Sequence, residues 1–258
     1  MSNAVELDAP ALAAAKAAAG LRVSVCVPAR NEAATVAGVL SPLLAAMTDP
    51  DWLVDEVIVV DDGSTDDTGD LAEMLGARVL RRQGRPGKGA AMSAAIAAAT
   101  GDLVVFVDAD LANFGLHFLT RLLEPLLREQ NVVLVKGAYR PSTTDGGGGG
   151  RVTELLARPL LRRLLPELAF VRQPLAGEVA IRRTALEGLV LEPGYGVEIG
   201  MLIDVARRFG PGAVAQVDLG ERAHRNRPLA ELAGQADEVL AAVLSRTHGA
   251  VDLTEPPV

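Results

Sequence analysis

Three short apolar runs constrain this chain most: "LRVSVCVPA" (21–29), "DEVIVVDD" (55–62) and "DLVVFVDAD" (102–110). Each is rich in β-branched residues and stops on polar or acidic ones. Runs this short, without alternation, read as strands buried on both faces. "NEAATVAGVLSPLLAAM" and "GDLAEMLGA" follow the first two with helical spacing, and "ARVLRR" reads as a further strand. "GRPGKG" is a turn into an Ala-rich helix from Lys88 to Thr100, with Gly101 suited to a helix C-cap. A helix at 115–129 and a strand at "NVVLVKGAY" come next. Strands alternating with helices predict an α/β fold, a mainly parallel sheet flanked by helices.

Such sheets take ligands at the carboxyl ends of their strands. Pro28–Glu32, Asp61–Ser64 and Asp108–Asp110 all fall at such ends. Unpaired carboxylates are costly to bury, so a strand that ends in two acids needs a partner or water. Read as extended, Asp108 and Asp110 point to one side and suit a hard cation, which prefers oxygen ligands. The plainer alternative is a solvated turn. In "VVDDGSTDDT", capping of the next helix accounts for Ser64, Thr65 and Asp66, and leaves Asp61 over for a base or ribose. Glu32 in "PARNE" either favours a helix start or accepts from a ribose hydroxyl. "RPGKG" offers backbone N–H groups and Lys88 to a diphosphate, although it is not a Walker A loop.

The second half is less regular. "DGGGGG" (145–150) precedes the mostly helical "RVTELLARPLLRRLLPEL". "GEVAIRR" and "AVAQVDLGER" read as strands, "GYGVEIGMLIDVARRFG" as a turn and amphipathic helix, and 229–246 as a closing helix. Between the last strand and that helix, "ERAHRNRP" sets His224 among Arg222, Arg225, Asn226 and Arg227. Arginine matches carboxylate and phosphate geometry, so this loop suits an anion. So do Arg151 and Thr153 behind their glycines. The expected organisation is a lead-in (1–20), a first subdomain (21–140), a second (141–246) and a tail (247–258).

Composition bounds the function. Net charge is −8 in 258 residues, which argues against nucleic acid. Aromatics are 3% against 49% hydrophobic, so the core must be packed from Ala, Val and Leu. One cysteine, Cys26, excludes a disulfide framework and fits a reducing cytosol. The start carries no signal-peptide pattern, and no stretch has about 18 strongly apolar residues, so a soluble, cytoplasmic protein is expected.

Together "VPARNE", "VVDDGSTDDT", "RPGKG" and "VVFVDAD" resemble, in that order, the nucleotide-sugar domain of GT-A fold glycosyltransferases. "LVKGAYRP", "GGGRVTELLARPLL", "QPLAGE", "PGYGVEIGMLIDV" and "AQVDLGERAHRNRPL" are similar to glucosyl-3-phosphoglycerate synthases of actinobacterial type. The resemblance covers 21–246. It implies retaining transfer of glucose from a nucleoside diphosphate donor, expected to be UDP-glucose, to 3-phosphoglycerate, with Mg2+ or Mn2+, in a homodimer. It also implies that Asp110 and His224 hold the metal, with Asp108 supporting the donor. Pro28, Ala29, Arg30, Glu32, Asp61, Asp62 and Lys88 would line the nucleotide and diphosphate, and Glu198 the sugar hydroxyls. Gly150, Arg151, Thr153, Arg222 and Asn226 would hold the acceptor. Asp110, Lys88 and Glu198 are the expected catalytic set, with Glu178 of "LAGE" a possible nucleophile. The chain departs from the family pattern at Ala109 and Asp62, where serine is usual, and is shorter at its N-terminus and before "RPGKG". The alternatives are a transferase using GDP-mannose or a polyprenyl phosphate acceptor, and a catalytically silent nucleotide-sugar binding module.

Overall fold

The computed structural model describes residues 8–48, 52–141, 150–222 and 229–247. Helix α1 (Ala9–Ala18) leads into β1 (Val23–Ala29), α2 (Val36–Ala45), β2 (Glu56–Asp61), α3 (Thr68–Met74) and β3 (Arg78–Arg81). Then come α4 (Lys88–Ala98), β4 (Leu103–Phe106), α5 (Leu116–Arg128) and β5 (Leu134–Pro141). A π-helical turn (Thr153–Ala157) runs into α6 (Arg158–Leu164), followed by β6 (Val179–Arg182), the short α7 (Arg183–Leu186), α8 (Val197–Phe209), β7 (Val214–Arg222) and α9 (Leu229–Thr247).

The seven strands form one sheet in the order β3-β2-β1-β4-β6-β5-β7. Six run the same way, and β6 alone runs against its neighbours β4 and β5. The chain leaves β5 at the carboxyl edge and re-enters β6 at that same edge, so β6 must run back. Both halves of the chain share this sheet, and the border at 140/141 falls inside β5.

Successive strand residues face opposite sides, and the core divides accordingly. Val25, Val27 and Val59 pack with α1, α2 and α5 on one face. Cys26, Ile58, Phe106 and Val179 pack with α4, α8 and α9 on the other. Two of the five phenylalanines, Phe106 and Phe118, are fully buried, one in each layer. Truncating either to Ala would cost about 3–5 kcal/mol.

Three local expectations need correcting. Gly101 does not cap α4, whose C-cap is Ala99. A Cβ on Gly101 would run into Ser24, to whose Oγ its N–H donates at 2.7 Å. Strand β4 ends at Phe106, so Asp108 and Asp110 sit on the turn beyond it. Finally, Ser64 and Thr65 do not cap α3, although Asp66 Oδ1 accepts from Thr68 N–H, the first of the helix, at 3.1 Å. The N-cap of α3 is Asp67, without a side-chain bond.

Candidate active site

The segment "GSTDDT" instead latches one strand tip to the next. Asn31 N–H donates to Ser64 Oγ at 3.0 Å, and Thr65 N–H to Asn31 Oδ1 at 2.8 Å. Glu32 N–H donates to Thr68 Oγ1 at 2.8 Å and Ala33 N–H to Asp66 Oδ2 at 3.1 Å. Asn31 sits at φ 57°, a left-handed conformation that asparagine tolerates better than most residues. These bonds fix the turn carrying Arg30 and Glu32 over the end of the sheet.

Below that turn lies a cleft of about 490 Å³, lined by Pro28, Ala29, Arg30, Glu32, Asp62, Lys88, Asp108 and Asp110 among others. Seven of the residues expected at the donor, and Asp110 expected at the metal, therefore share one cavity. Asp61 does not line it. Its Oδ1 accepts from Ser64 N–H at 2.9 Å and its other oxygen lies 4.0 Å from Arg81. Glu198, only 3% exposed, reaches the cleft floor through Lys88. The Lys88 ammonium lies 2.7 Å from Asp108 Oδ1 and 2.6 Å from Glu198 Oε1. Burial disfavours its charge, but the two carboxylates outweigh that and raise its pKa above the usual lysine range.

The start of α4 is not the open anion cradle expected from "RPGKG". Gly87 N–H donates to Asp62 Oδ2 at 2.6 Å, Gly89 N–H to Gly194 O at 3.3 Å and Ala90 N–H to Pro193 O at 2.8 Å. These first-turn donors, which a helix leaves over, are consumed within the protein. The reason is packing: a Cβ on Gly87 or Gly89 would overlap the carbonyls of Pro193 or Glu192. "EPGYG" thereby becomes a wall of the cleft, clamped from behind by α9. Tyr195 N–H donates to Glu238 Oε2 at 2.5 Å, and Arg246 holds Glu192 at 2.6 Å. Asp62 also pairs with Arg82.

One acceptor candidate, Arg222, is placed by the sheet. Pro141 pairs with Arg222 at the carboxyl ends of β5 and β7, the edge that bears the other strand tips. Gly150 and Arg151 are exposed, while Thr153 is 4% exposed at the head of the π-helical turn. Such turns recur at functional sites. His224 and Asn226 lie outside the described residues, as does the side chain of Arg222.

Sequence reasoning missed two groups. Glu192, Tyr195 and Glu238 line the cleft, with no motif to announce them. Lys136 is fully buried, and its ammonium donates to Ala176 O at 2.6 Å. A lysine inside the apolar run "VVLVKGAY" was a signal, because a buried charge needs a reason. Burial pushes its pKa down to about 8, with Lys88 adding to the fall and Glu198, Glu178 and Asp108 opposing it. Glu178 is fully buried at the foot of β6 and does not line the cleft.

The donor set fits a hard divalent cation in part. Asp108 and Asp110 bring oxygen ligands to the cleft, the kind Mg2+ and Mn2+ prefer. No group of three or more His, Cys, Asp or Glu fit to hold a metal occurs among the described residues. The arrangement suits a cation that shares its remaining positions with substrate oxygens and water.

With this geometry in hand, the known proteins it resembles are informative. The family model for glycosyl transferase family 2 matches residues 24–186. The glucosyl-3-phosphoglycerate synthase of Mycobacterium tuberculosis is 51% identical over 248 residues, covering 89% of this chain and 75% of its relative. That of Mycolicibacterium smegmatis is 49% identical over 245 residues, covering 89% and 79%. The crystal structure of the M. tuberculosis enzyme with Mn2+, UDP-glucose and phosphoglyceric acid superposes with a TM-score of 0.87 at 48% identity, covering 97% of this chain and 87% of that one. The match thus runs well past the strand tips, through the α9 clamp, and the chain belongs to glycosyl transferase family 2, among the glucosyl-3-phosphoglycerate synthases.

Proposed function

We propose that this protein transfers glucose from UDP-glucose to 3-phosphoglycerate, giving glucosyl-3-phosphoglycerate with retention of configuration. The observation that carries the reading is the convergence of Asp108, Asp110, Lys88 and Glu198 at the strand tips, in a family whose solved members bind UDP-glucose and phosphoglyceric acid.

The acceptor hydroxyl oxygen bonds to the anomeric carbon as the bond from that carbon to the diphosphate oxygen breaks. The hydroxyl proton passes to the departing diphosphate oxygen. Lys88 stabilises charge on that oxygen, and Glu198 orients the sugar hydroxyls. Asp110, with His224, would hold Mg2+ or Mn2+, which when bound neutralises the diphosphate. A double displacement needs a carboxylate beneath the anomeric carbon. Glu178 does not line the cleft, which favours attack from the front face. Gly150, Arg151, Thr153, Arg222 and Asn226 hold the acceptor in this reading, and 21–140 and 141–246 divide the work between donor and acceptor.

The finer reading is a homodimer in the cytoplasm, acting away from membranes. No helix among the described residues is long and apolar enough to cross a bilayer. Light scattering tests the dimer, and a monomer at micromolar concentration would overturn it.

A panel crossing UDP- and GDP-sugars with 3-phosphoglycerate, glycerate and polyprenyl phosphate tests the activity, and the anomeric coupling constant of the product tests retention. Turnover only with another donor or acceptor would overturn the reading. Arg151→Ala should raise KM for 3-phosphoglycerate by about one to two decades, the worth of one charge-assisted contact. KM for UDP-glucose should hardly change, and equal shifts in both would discard the acceptor role.

A further inference from the structure

We propose that Lys136 is a positioning residue of the transfer site: from inside the sheet it fixes the turn that backs Asp108. The inference rests on the transfer reading above and deepens it. Lys136 pairs with Val179, and Val179 with Phe106, so the three residues form one rung across β5, β6 and β4. Phe106 and Val179 face the layer of α4 and α8, and residues paired across a sheet share a face. The lysine therefore rises on the side where Lys88 and Glu198 stand.

Its ammonium does not reach the cleft. It stops at Ala176 O, 2.6 Å away, in the turn that precedes β6. The next residue, Gly177, lies so close to Asp108 that a Cβ there would overlap both carboxylate oxygens. On the rung above Lys136, Gly137 N–H donates to Glu178 O at 2.8 Å and ties the same turn to β5. Asp108 is thus set between Gly177 behind it and Lys88 at 2.7 Å in front. A shift of the turn moves Asp108, and through Lys88 it moves Glu198, 2.6 Å further along.

The alternative explanation is charge balance alone. Asp108, Glu178 and Glu198 bring three negative charges to this region, and Lys88 with Lys136 only two positive ones. A lysine that merely neutralises could be removed together with Glu178, which does not line the cleft, at no cost to turnover. A lysine that positions the turn could not.

The test compares Lys136→Met, Lys136→Gln and the double variant Lys136→Met/Glu178→Gln with the wild-type protein. The readouts are far-UV CD, thermal unfolding, and kcat and KM with UDP-glucose, 3-phosphoglycerate and Mn2+. Misplacing a reacting group by about 1 Å costs on the order of 100-fold in rate. A fall in kcat of that order is expected in each folded variant, with KM for UDP-glucose within about 3-fold of wild type. The double variant should stay deficient even where its unfolding temperature is restored. It also guards against the case in which Lys136→Met alone fails to fold. A folded variant with wild-type kcat, or a double variant that recovers kcat together with stability, would overturn the positioning role. If the wild-type protein itself fails to transfer glucose, the parent reading falls and takes this one with it; wild-type turnover with active variants removes only the role of Lys136.

Discussion

The N-terminus of α4 and the middle of β5 each hold a lysine near Asp108 and Glu198, and the two surroundings treat the charge in opposite ways. Lys88 touches Asp108 and Glu198 directly, and its pKa is raised. Lys136 touches a backbone carbonyl, and its pKa falls to about 8. A carbonyl dipole satisfies a hydrogen bond but does not repay the desolvation of a full charge; an adjacent carboxylate does. Proximity to acids is therefore not enough, and contact decides. Under the proposed transfer reaction, Lys88 acts on a substrate and Lys136 on the protein.

The sharpest way to break this contrast is to remove Lys88. Lys88→Met leaves Asp108 and the buried Glu198 facing each other without their cation. Breaking a buried pair on one side costs about 3–5 kcal/mol, and losing a charge stabiliser at the leaving group costs about 10²–10³ in kcat. Urea unfolding and steady-state kinetics read both effects. A variant as stable as wild type would mean that contact does not decide.

The pH dependence of stability sharpens the contrast next. An unfolded lysine titrates near about 10.4. Lys136 titrates at about 8 in the folded protein, so between these values the unfolded state binds the extra proton. Stability from this group therefore rises with pH across that window. Lys88, raised instead, contributes stability in full below the unfolded value and loses it as pH climbs toward its folded pKa. Hence between pH 8 and 10 the urea midpoint of wild type should gain on that of Lys136→Met. A gap that closes over the same range would reverse the assignment.

The smallest effect is expected from Asp62→Ser. Asp62 ties Gly87 N–H and Arg82 together just ahead of Lys88, so its loss loosens the α4 start without touching the ammonium. One charge-assisted bond is worth about 1.5–3 kcal/mol, and Ser recovers part of it. KM for UDP-glucose should rise a few-fold while kcat holds. A larger fall in kcat than in Lys88→Met would show that the helix start, not its lysine, matters.

Much of this arrangement was legible before any coordinates. Five strands and the helices α2 to α5 follow from short apolar runs and helical spacing. The strand tips locate the cleft, because a parallel sheet leaves its carboxyl ends open. The rest depended on partners distant in sequence. Ser64 and Thr65 look like caps because capping is their commonest local use, yet Asn31 claims both across 33 and 34 positions. The glycines of "RPGKG" look like a phosphate cradle, but their small size serves the close approach of the Glu192 and Pro193 carbonyls. The reversal of β6 leaves no mark in its composition. Lys136 alone was visible and passed over, a charge in a strand with no motif around it.

That reversed strand has a consequence for how the protein is made. Strand β5 pairs only with β6 and β7, both of which lie further along the chain. During synthesis, β1 to β4 can assemble first, while β5 waits with both edges open until Arg182 has been added. At roughly 5–20 residues per second, that wait lasts a few seconds, with an apolar strand exposed on a nascent chain. The closing event inserts β6 between β4 and β5 and joins the two halves in one step. A fragment cut after Pro141 would keep β5 without a neighbour and is expected to aggregate rather than to fold as a free-standing nucleotide-binding domain.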